Sequence, residues 1–183
     1  FAMVKEAAKE RDLRIIVIGA GMAGILSAIK LHAAGYSNYA IYEKADRLGG
    51  TWRENTYPGL ACDVPAHLYT YSFEPNPTWT RTFAPGAEIQ SYFQHVSDKH
   101  SVTPSIRFGE EITKCEFLNG RWHVETNNGT HDKGDVILAA TGVLHHPKEN
   151  FTCDLTGIPS LTGQHNWQNA AAAYAACWKL GVK

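Results

Sequence analysis

The four cysteines, Cys62, Cys115, Cys153 and Cys177, form no C-x-x-C pair, so no zinc site is spelled out and a reduced, cytoplasmic chain is the expectation. An excess of charge of one sign is missing as well. Seventeen Lys and Arg stand against eighteen Asp and Glu, which leaves no basic footprint for nucleic acid. No apolar run reaches the length of a membrane span, and the one near residue 15 is interrupted by glycines. The N-terminus scatters Lys5, Glu6, Lys9, Glu10, Arg11 and Asp12 and has no apolar core of the kind a secretory leader needs. The nine histidines are dispersed, and His145-His146 before Pro147 reads as a loop rather than a metal site. The expected partners are therefore small molecules, with neither nucleic acid nor membrane. The sequence is silent on oligomeric state.

What is there suits one domain or a little more. The chain has 183 residues and 44% apolar content, enough to supply a core. Its organising stretch is Arg14-Ile-Ile-Val-Ile-Gly-Ala-Gly-Met-Ala-Gly-Ile-Leu26. Ile15 to Ile18 is a short β-branched run suited to a central parallel strand covered on both faces. Gly19, Gly21 and Gly24 follow in G-x-G-x-x-G spacing. The first permits a tight turn, the second lets a diphosphate approach the backbone, and the third lets the next helix pack close to the strand. That helix would aim free N–H groups and a partial positive charge at the diphosphate. Its buried side would carry Ile25, Ala28, Ile29 and Leu31, and Gly35 is placed to end it. A second apolar strand, Tyr39-Ala-Ile-Tyr42, runs into Glu43. An acid at the tip of a second strand, about 20 residues past the glycines, binds a ribose hydroxyl pair. The cofactor class is FAD or NAD rather than NADP.

Along the rest of the chain, residues 1 to 12 read as a short polar helix or arm. Gly49-Gly50, in Lys44-Ala-Asp-Arg-Leu-Gly-Gly-Thr-Trp52, is either an ordinary turn or a place where backbone passes close to a cofactor. Tyr57-Pro-Gly-Leu-Ala-Cys-Asp-Val-Pro65 is fixed as an irregular loop by its prolines and glycine. Within it, Asp63 reads either as a cap or as a carboxylate beside a flavin ring. Tyr69, Tyr71 and Phe73 alternate as in a strand. Residues 86 to 99 read as a helix with Ile89, Tyr92, Phe93 and Val96 on one face. From 106 to 138 four period-two segments begin at Ile106, Ile112, Arg121 and Gly134, with hairpin signals at Asn119-Gly120 and Asn127-Asn-Gly129. A small antiparallel insertion thus precedes a last apolar strand, Val136-Ile-Leu-Ala-Ala-Thr-Gly142, which returns the chain to the parallel sheet beside the glycine loop.

These motifs together resemble the FAD-binding half of the class B flavoprotein monooxygenases. More narrowly, they resemble the Baeyer–Villiger monooxygenases, including the branch that oxidises hydroxyacetophenones. The residues that carry the resemblance are Gly19-Ala-Gly-Met-Ala-Gly24, Glu43-Lys-Ala-Asp-Arg-Leu-Gly-Gly-Thr-Trp52, Asn55-Thr-Tyr-Pro-Gly-Leu-Ala-Cys-Asp-Val-Pro65 with His67-Leu-Tyr69, and Ala140-Thr-Gly142. The match covers about residues 12 to 147. It implies an α/β, Rossmann-like FAD-binding domain over 1–147, with a parallel sheet and a small antiparallel β insertion. It also implies NADPH as reductant, and oxygen insertion from O2 into ketones through a flavin C4a-peroxide, giving esters or lactones.

Residue by residue, the resemblance places Gly19, Gly21, Met22, Ala23 and Gly24 at the FAD diphosphate, and Glu43 with Lys44 at the adenosine ribose. Gly50, Thr51 and Trp52 line the ribityl and isoalloxazine side, and Tyr69 contacts the cofactor. Asp63, with Val64 next to it, lies beside the ring and is the catalytic candidate, orienting an arginine that this chain does not supply. Ile112 meets adenine through its backbone, and Ala140, Thr141 and Gly142 close the site.

After about residue 148 the pattern departs. Gly157-Ile-Pro-Ser-Leu-Thr-Gly163 echoes the family's linker. Leu161 stands where Phe belongs, Trp167 falls where a His belongs, and no second glycine fingerprint for NADPH follows. The alanine-rich stretch from Asn169 to Trp178 is helix-prone and matches nothing in the family. Residues 148–183 are read as linker and tail. A truncated product, a stand-alone non-catalytic flavin module and pieces joined across gaps all stay open, as does a flavin N-hydroxylase relative.

Overall fold

A computed structural model describes residues 12–139 and the backbone of two further strands, 143–146 and 151–154. The arm read over residues 1–12 lies, apart from its last residue, outside the described residues, as do Ala140, Thr141, Gly142 and the tail from 155 onward.

Strand β1 (Ile15–Ile18) sits inside a parallel sheet of order β3-β2-β1-β7, formed with β2 (Tyr39–Glu43), β3 (Ile106–Phe108) and β7 (Val136–Ala139). Ile15, Ile16 and Val17 are all but inaccessible. That is why the run is uniformly apolar rather than alternating: both faces of β1 are covered. Helix α1 (Met22–Ala33) links β1 to β2. It ends on two bonds around Gly35, whose N–H donates to the His32 carbonyl while the Tyr36 N–H donates to that of Leu31. This is the paired 5→2 and 6→1 closure of a helix C-terminus. After the short helix α2 (Thr51–Glu54) and a long loop, helix α3 (Gly86–Lys99) buries Ile89, Tyr92, Phe93 and Val96, the face read from the spacing.

One face of the sheet packs Ile15, Val17 and Ile41 against α1, α3 and the aromatics of the long loop. The opposite face packs Ile16, Ala40 and Tyr42 against Val124, with Ile18, Ile112 and Ile137 alongside. Val124 belongs to a separate antiparallel sheet, β4 (Ile112–Leu118), β5 (Arg121–Thr126) and β6 (His131–Gly134). The layers are helices, parallel sheet and antiparallel sheet.

Four expectations change. Ile106–Phe108, the first of the four period-two segments, pairs in parallel with β2 rather than joining the insertion. Gly134 ends β6 and Val136 opens β7, so the fourth segment is split between two sheets. Tyr69, Tyr71 and Phe73 do not form a strand. A 3-10 turn, Ala66–Leu68, precedes them, and Tyr71 makes only an isolated bridge to Glu74. Their rings pack as a cluster, and the Tyr71 hydroxyl donates to the Met22 carbonyl at 2.5 Å. Burial of the Tyr69 and Tyr71 rings, with the exposed Phe73 ring stacked on Tyr71, accompanies the alternation in place of backbone pairing. His145 and His146 lie in a strand, β8 (Val143–His146), paired with β9 (Phe151–Asp154), and not in a loop.

A polar network fastens the two sheets. The Tyr42 hydroxyl donates to Asp132 (2.7 Å), Arg14 Nη2 donates to the same oxygen (2.5 Å), and Arg107 Nη1 donates to the Tyr42 hydroxyl (2.8 Å). Burial, reinforced by Asp132, pushes the Tyr42 phenol up to about 12. Burial alone would raise the Asp132 carboxyl, but the bonds from Arg14 and Tyr42 outweigh it and hold it below the ordinary carboxylate range. A depressed carboxyl stabilises the fold fully above its unfolded value of about 4 and loses that contribution as the pH falls through the folded value. Asp132→Asn should cost about 1–3 kcal/mol of stability near neutral pH. It should also flatten part of the acid loss between about pH 5 and about pH 2. Denaturant titration across that range checks both, and equal acid sensitivity of the two proteins would remove Asp132 from the linkage.

Candidate functional site

The carboxyl ends of β1, β2 and β7 finish level, since Ile18 pairs with both Tyr42 and Ala139. Ligands of open parallel sheets bind beyond this edge. The first loop there is the glycine turn. Gly19 has φ +91°, a conformation that L side chains avoid, and no atom lies within 4 Å of where its Cβ would be. Its N–H donates to the Tyr42 carbonyl at 2.8 Å. A Cβ on Gly24 would lie 1.9 Å from the Gly19 carbonyl oxygen, so α1 approaches the turn as closely as backbone allows. The helix starts at Gly21 with no side-chain cap and no acid in its first turn. Its leading N–H groups, which have no partner within the helix, stay available to an anion.

The second loop is Leu48-Gly49-Gly50. The Gly49 N–H donates to the Ala20 carbonyl at 3.0 Å, and a Cβ on Gly50 (φ +54°) would stand 3.2 Å from the Gly21 Cα. Two side-chain-free loops thus lie against each other. Gln90 of α3 holds the second loop by donating from Nε2 to the Leu48 carbonyl at 2.7 Å. Gly49-Gly50, expected as an ordinary turn or as backbone close to a cofactor, packs against the first glycine turn. Glu43 is 3% exposed. Its Oε2 accepts the Ala20 N–H (2.7 Å), and its Oε1 accepts the Ala45 N–H (3.0 Å) and Arg53 Nη1 (2.8 Å).

Trp52 follows on α2, and its Nε1 donates to the buried Tyr69 hydroxyl at 3.2 Å. Burial pushes the Tyr69 phenol up. Cys62 to Ala66 runs antiparallel to residues 82–86, with Cys62 and Ala66 donating to the carbonyls of Ala84 and Thr82. This ribbon leaves Asp63 and Val64 exposed and Cys62 buried. It packs against α2 at Gly86, where a Cβ would meet Leu60 at 2.4 Å and Trp52 at 3.4 Å. Lys44 is exposed and pairs with Glu54 at 3.1 Å. Ile112 lies two residues past Glu110, whose N–H donates to the Glu43 carbonyl at 3.0 Å; its side chain packs on the Ile16 and Tyr42 cluster.

The structure therefore brings Gly19 to Gly24, Glu43 and Gly49 to Thr51 together, with Trp52 and Tyr69 alongside. Asp63 and Val64 lie on the neighbouring ribbon, and Ala140 to Gly142 fall outside the described residues. Arg53 is a residue that the sequence reading missed. A single arginine on a four-residue helix leaves no periodic signal, and its burial depends on an acid ten positions earlier. Among the described residues, no helix is long and apolar enough to cross a membrane, and no cluster of three metal-ligating side chains occurs. Gly24→Ala, which drives a Cβ into backbone, should cost about 2–3 kcal/mol or more. Chemical denaturation reads this, and a loss below about 0.5 kcal/mol would mean that the turn yields freely.

Comparison with known proteins agrees with this geometry. Residues 17–85 match the NAD(P)-binding Rossmann-like domain family. An uncharacterized monooxygenase of Mycobacterium tuberculosis is 50% identical over 164 residues, covering 90% of this chain and 31% of the relative. A Baeyer–Villiger monooxygenase of Streptomyces coelicolor is 39% identical over 164 residues, covering 88% of this chain and 31% of the relative. The open crystal structure of cyclohexanone monooxygenase superimposes with TM-score 0.67 at 34% identity, over 73% of this chain and 27% of that one. An oxidized steroid monooxygenase bound to NADP gives TM-score 0.67 at 30% identity, over the same shares. The chain spans about a third of the length of the curated relatives it matches. Its residues 17–85 are similar to NAD(P)-binding Rossmann-like domains, and most of the chain is homologous to part of proteins named Baeyer–Villiger monooxygenase and FAD-binding monooxygenase.

Proposed function

We propose that this chain is the FAD-binding part of a Baeyer–Villiger-type monooxygenase that uses NADPH and O2 to convert ketones into esters or lactones. The observation that carries the reading is the junction of an uncapped helix N-terminus, a glycine turn open at Gly19, and a buried acid at the tip of the adjacent strand. A diphosphate fits the first two, and a ribose hydroxyl fits the third. The named relatives supply the reaction class.

In this reading residues 1–147 form the FAD-binding unit and 148–183 a linker and tail. Gly19, Gly21, Met22, Ala23 and Gly24 hold the diphosphate through main-chain N–H groups. Glu43 takes the adenosine ribose, with Lys44 at its rim. Ile112 offers its backbone to adenine, while Gly50, Thr51 and Trp52 border the ribityl and ring side. The Trp52 and Tyr69 rings, 5.6 Å apart and edge to face, exclude water there, and Ala140, Thr141 and Gly142, which lie outside the described residues, are assigned to close the site. Asp63, exposed beside Val64, orients a cation brought by another part of a longer protein. FAD, when bound, supplies the hydride acceptance and O2 activation; the protein supplies orientation and electrostatics.

A full-length protein containing this stretch should oxidise NADPH faster when a ketone is added; no stimulation by any of a panel of cyclic and aryl ketones would contradict the assigned reaction. Gly21→Val should leave the protein colourless after gel filtration with FAD, because a branched side chain enters the diphosphate path. Retention of flavin by that variant would move the site elsewhere. Asp63→Ala should keep flavin but slow ketone-stimulated NADPH oxidation by roughly tenfold or more; an unchanged rate would leave Asp63 with no part in turnover.

A further inference from the structure

Arg53 is a buried cation in a place where a cofactor-binding acid needs none for solubility. Its side chain is 7% exposed and that of Glu43 is 4% exposed. Taking both charges out of water is costly unless geometry and further hydrogen bonds compensate, and here they do. Nη1 donates to Glu43 Oε1 at 2.8 Å and to the Arg47 carbonyl at 2.7 Å, and Nη2 donates to Glu54 Oε1 at 2.9 Å. The Arg53 N–H donates to the Gly50 carbonyl at 3.0 Å. One residue therefore joins the acid at the tip of β2, the carbonyl leading into the second glycine loop, and that loop itself.

A carboxylate offers about four acceptor positions. Glu43 spends three on Ala20, Ala45 and Arg53, with two of these on Oε1. One acceptor position remains, on Oε2, the oxygen already bonded to the glycine turn. We propose that Arg53 is a positioning residue for cofactor binding: it holds the Glu43 carboxylate in place and leaves Oε2 to accept a hydroxyl of an adenosine ribose. The role rests on the reading of this edge as an FAD site. It also bears on which cofactor enters. Glu43, Arg53, Glu54 and Lys44 form a chain of alternating charges that sums to zero. A ribose phosphate would meet Glu43 rather than an unpaired cation, so the site takes a ribose with free hydroxyls.

A double-mutant cycle on FAD affinity, read by quenching of flavin fluorescence, tests the role. Arg53→Met should weaken FAD binding by about ten- to a hundredfold, the worth of a hydrogen bond to a charged group. Arg53→Lys, which keeps the charge but not the fork, should restore part of the loss. In a Glu43→Gln background, Arg53→Met should change affinity by less than about threefold, because coupled residues are not additive. The full Arg53→Met penalty in that background, or no penalty in either, overturns the role. Where Arg53→Met alone does not fold, recovery of folding in the double variant with the affinity of Glu43→Gln supports the coupling, and an unfolded double variant overturns it. A wild-type chain that takes up no flavin overturns the cofactor assignment itself, whereas tight wild-type binding with additive variants overturns the role of Arg53 alone.

Discussion

The bond from the Ala20 N–H to the Glu43 carboxylate, 2.7 Å long and buried, is the contact on which the arrangement of the site depends. It fastens the tip of β2 to the turn that leaves β1, and so fixes where Glu43, the acid proposed to take the ribose, stands relative to the glycine loop. A buried carboxylate without partners is expensive. Glu43 keeps its place because two backbone N–H groups and Arg53 surround it. The four-residue helix α2 anchors itself by bringing one guanidinium inward to this acid.

Gly24 and Gly50 act here through close approach, and Gly19 through its φ of +91°. The contact of α1 with the first turn and the contact between the first and second glycine loops would both be pushed apart by a single Cβ. The outcome is a wall of backbone in which Ala20 gives its N–H to Glu43 while the first turn of α1 carries no side-chain cap. Such a wall suits a polyanion, whose charge is spread over oxygens that several N–H groups can share. The opposite face of the parallel sheet is occupied by the antiparallel layer, held by Tyr42, Asp132 and Arg14. The carboxyl edge of β1 and β2, with the uncapped start of α1 beside it, remains as the candidate ligand edge.

Much of this was legible in the sequence because it depends on local rules. The apolar run at Ile15, the glycine spacing, the acid at Glu43 and the 3.6-residue period of α3 each follow from a short stretch. What was not legible depends on distant partners. Tyr69, Tyr71 and Phe73 alternate like a strand, but Tyr69 and Tyr71 pack on Phe93 and Tyr92 of α3, and Phe73 stacks on Tyr71. Ile106–Phe108 has the same period as the hairpin strands that follow it, and only pairing with β2 assigns it to the parallel sheet. The salt bridge of Arg53 to Glu43 joins residues on two elements, and no one-dimensional pattern announces it.

The central claim, that this chain builds an FAD site at the carboxyl edge of its parallel sheet, is tested most directly by the visible absorption spectrum of the purified chain after incubation with FAD and gel filtration. The account predicts flavin bands that travel with the protein peak. A colourless protein peak, with all flavin eluting at the small-molecule volume, would contradict it.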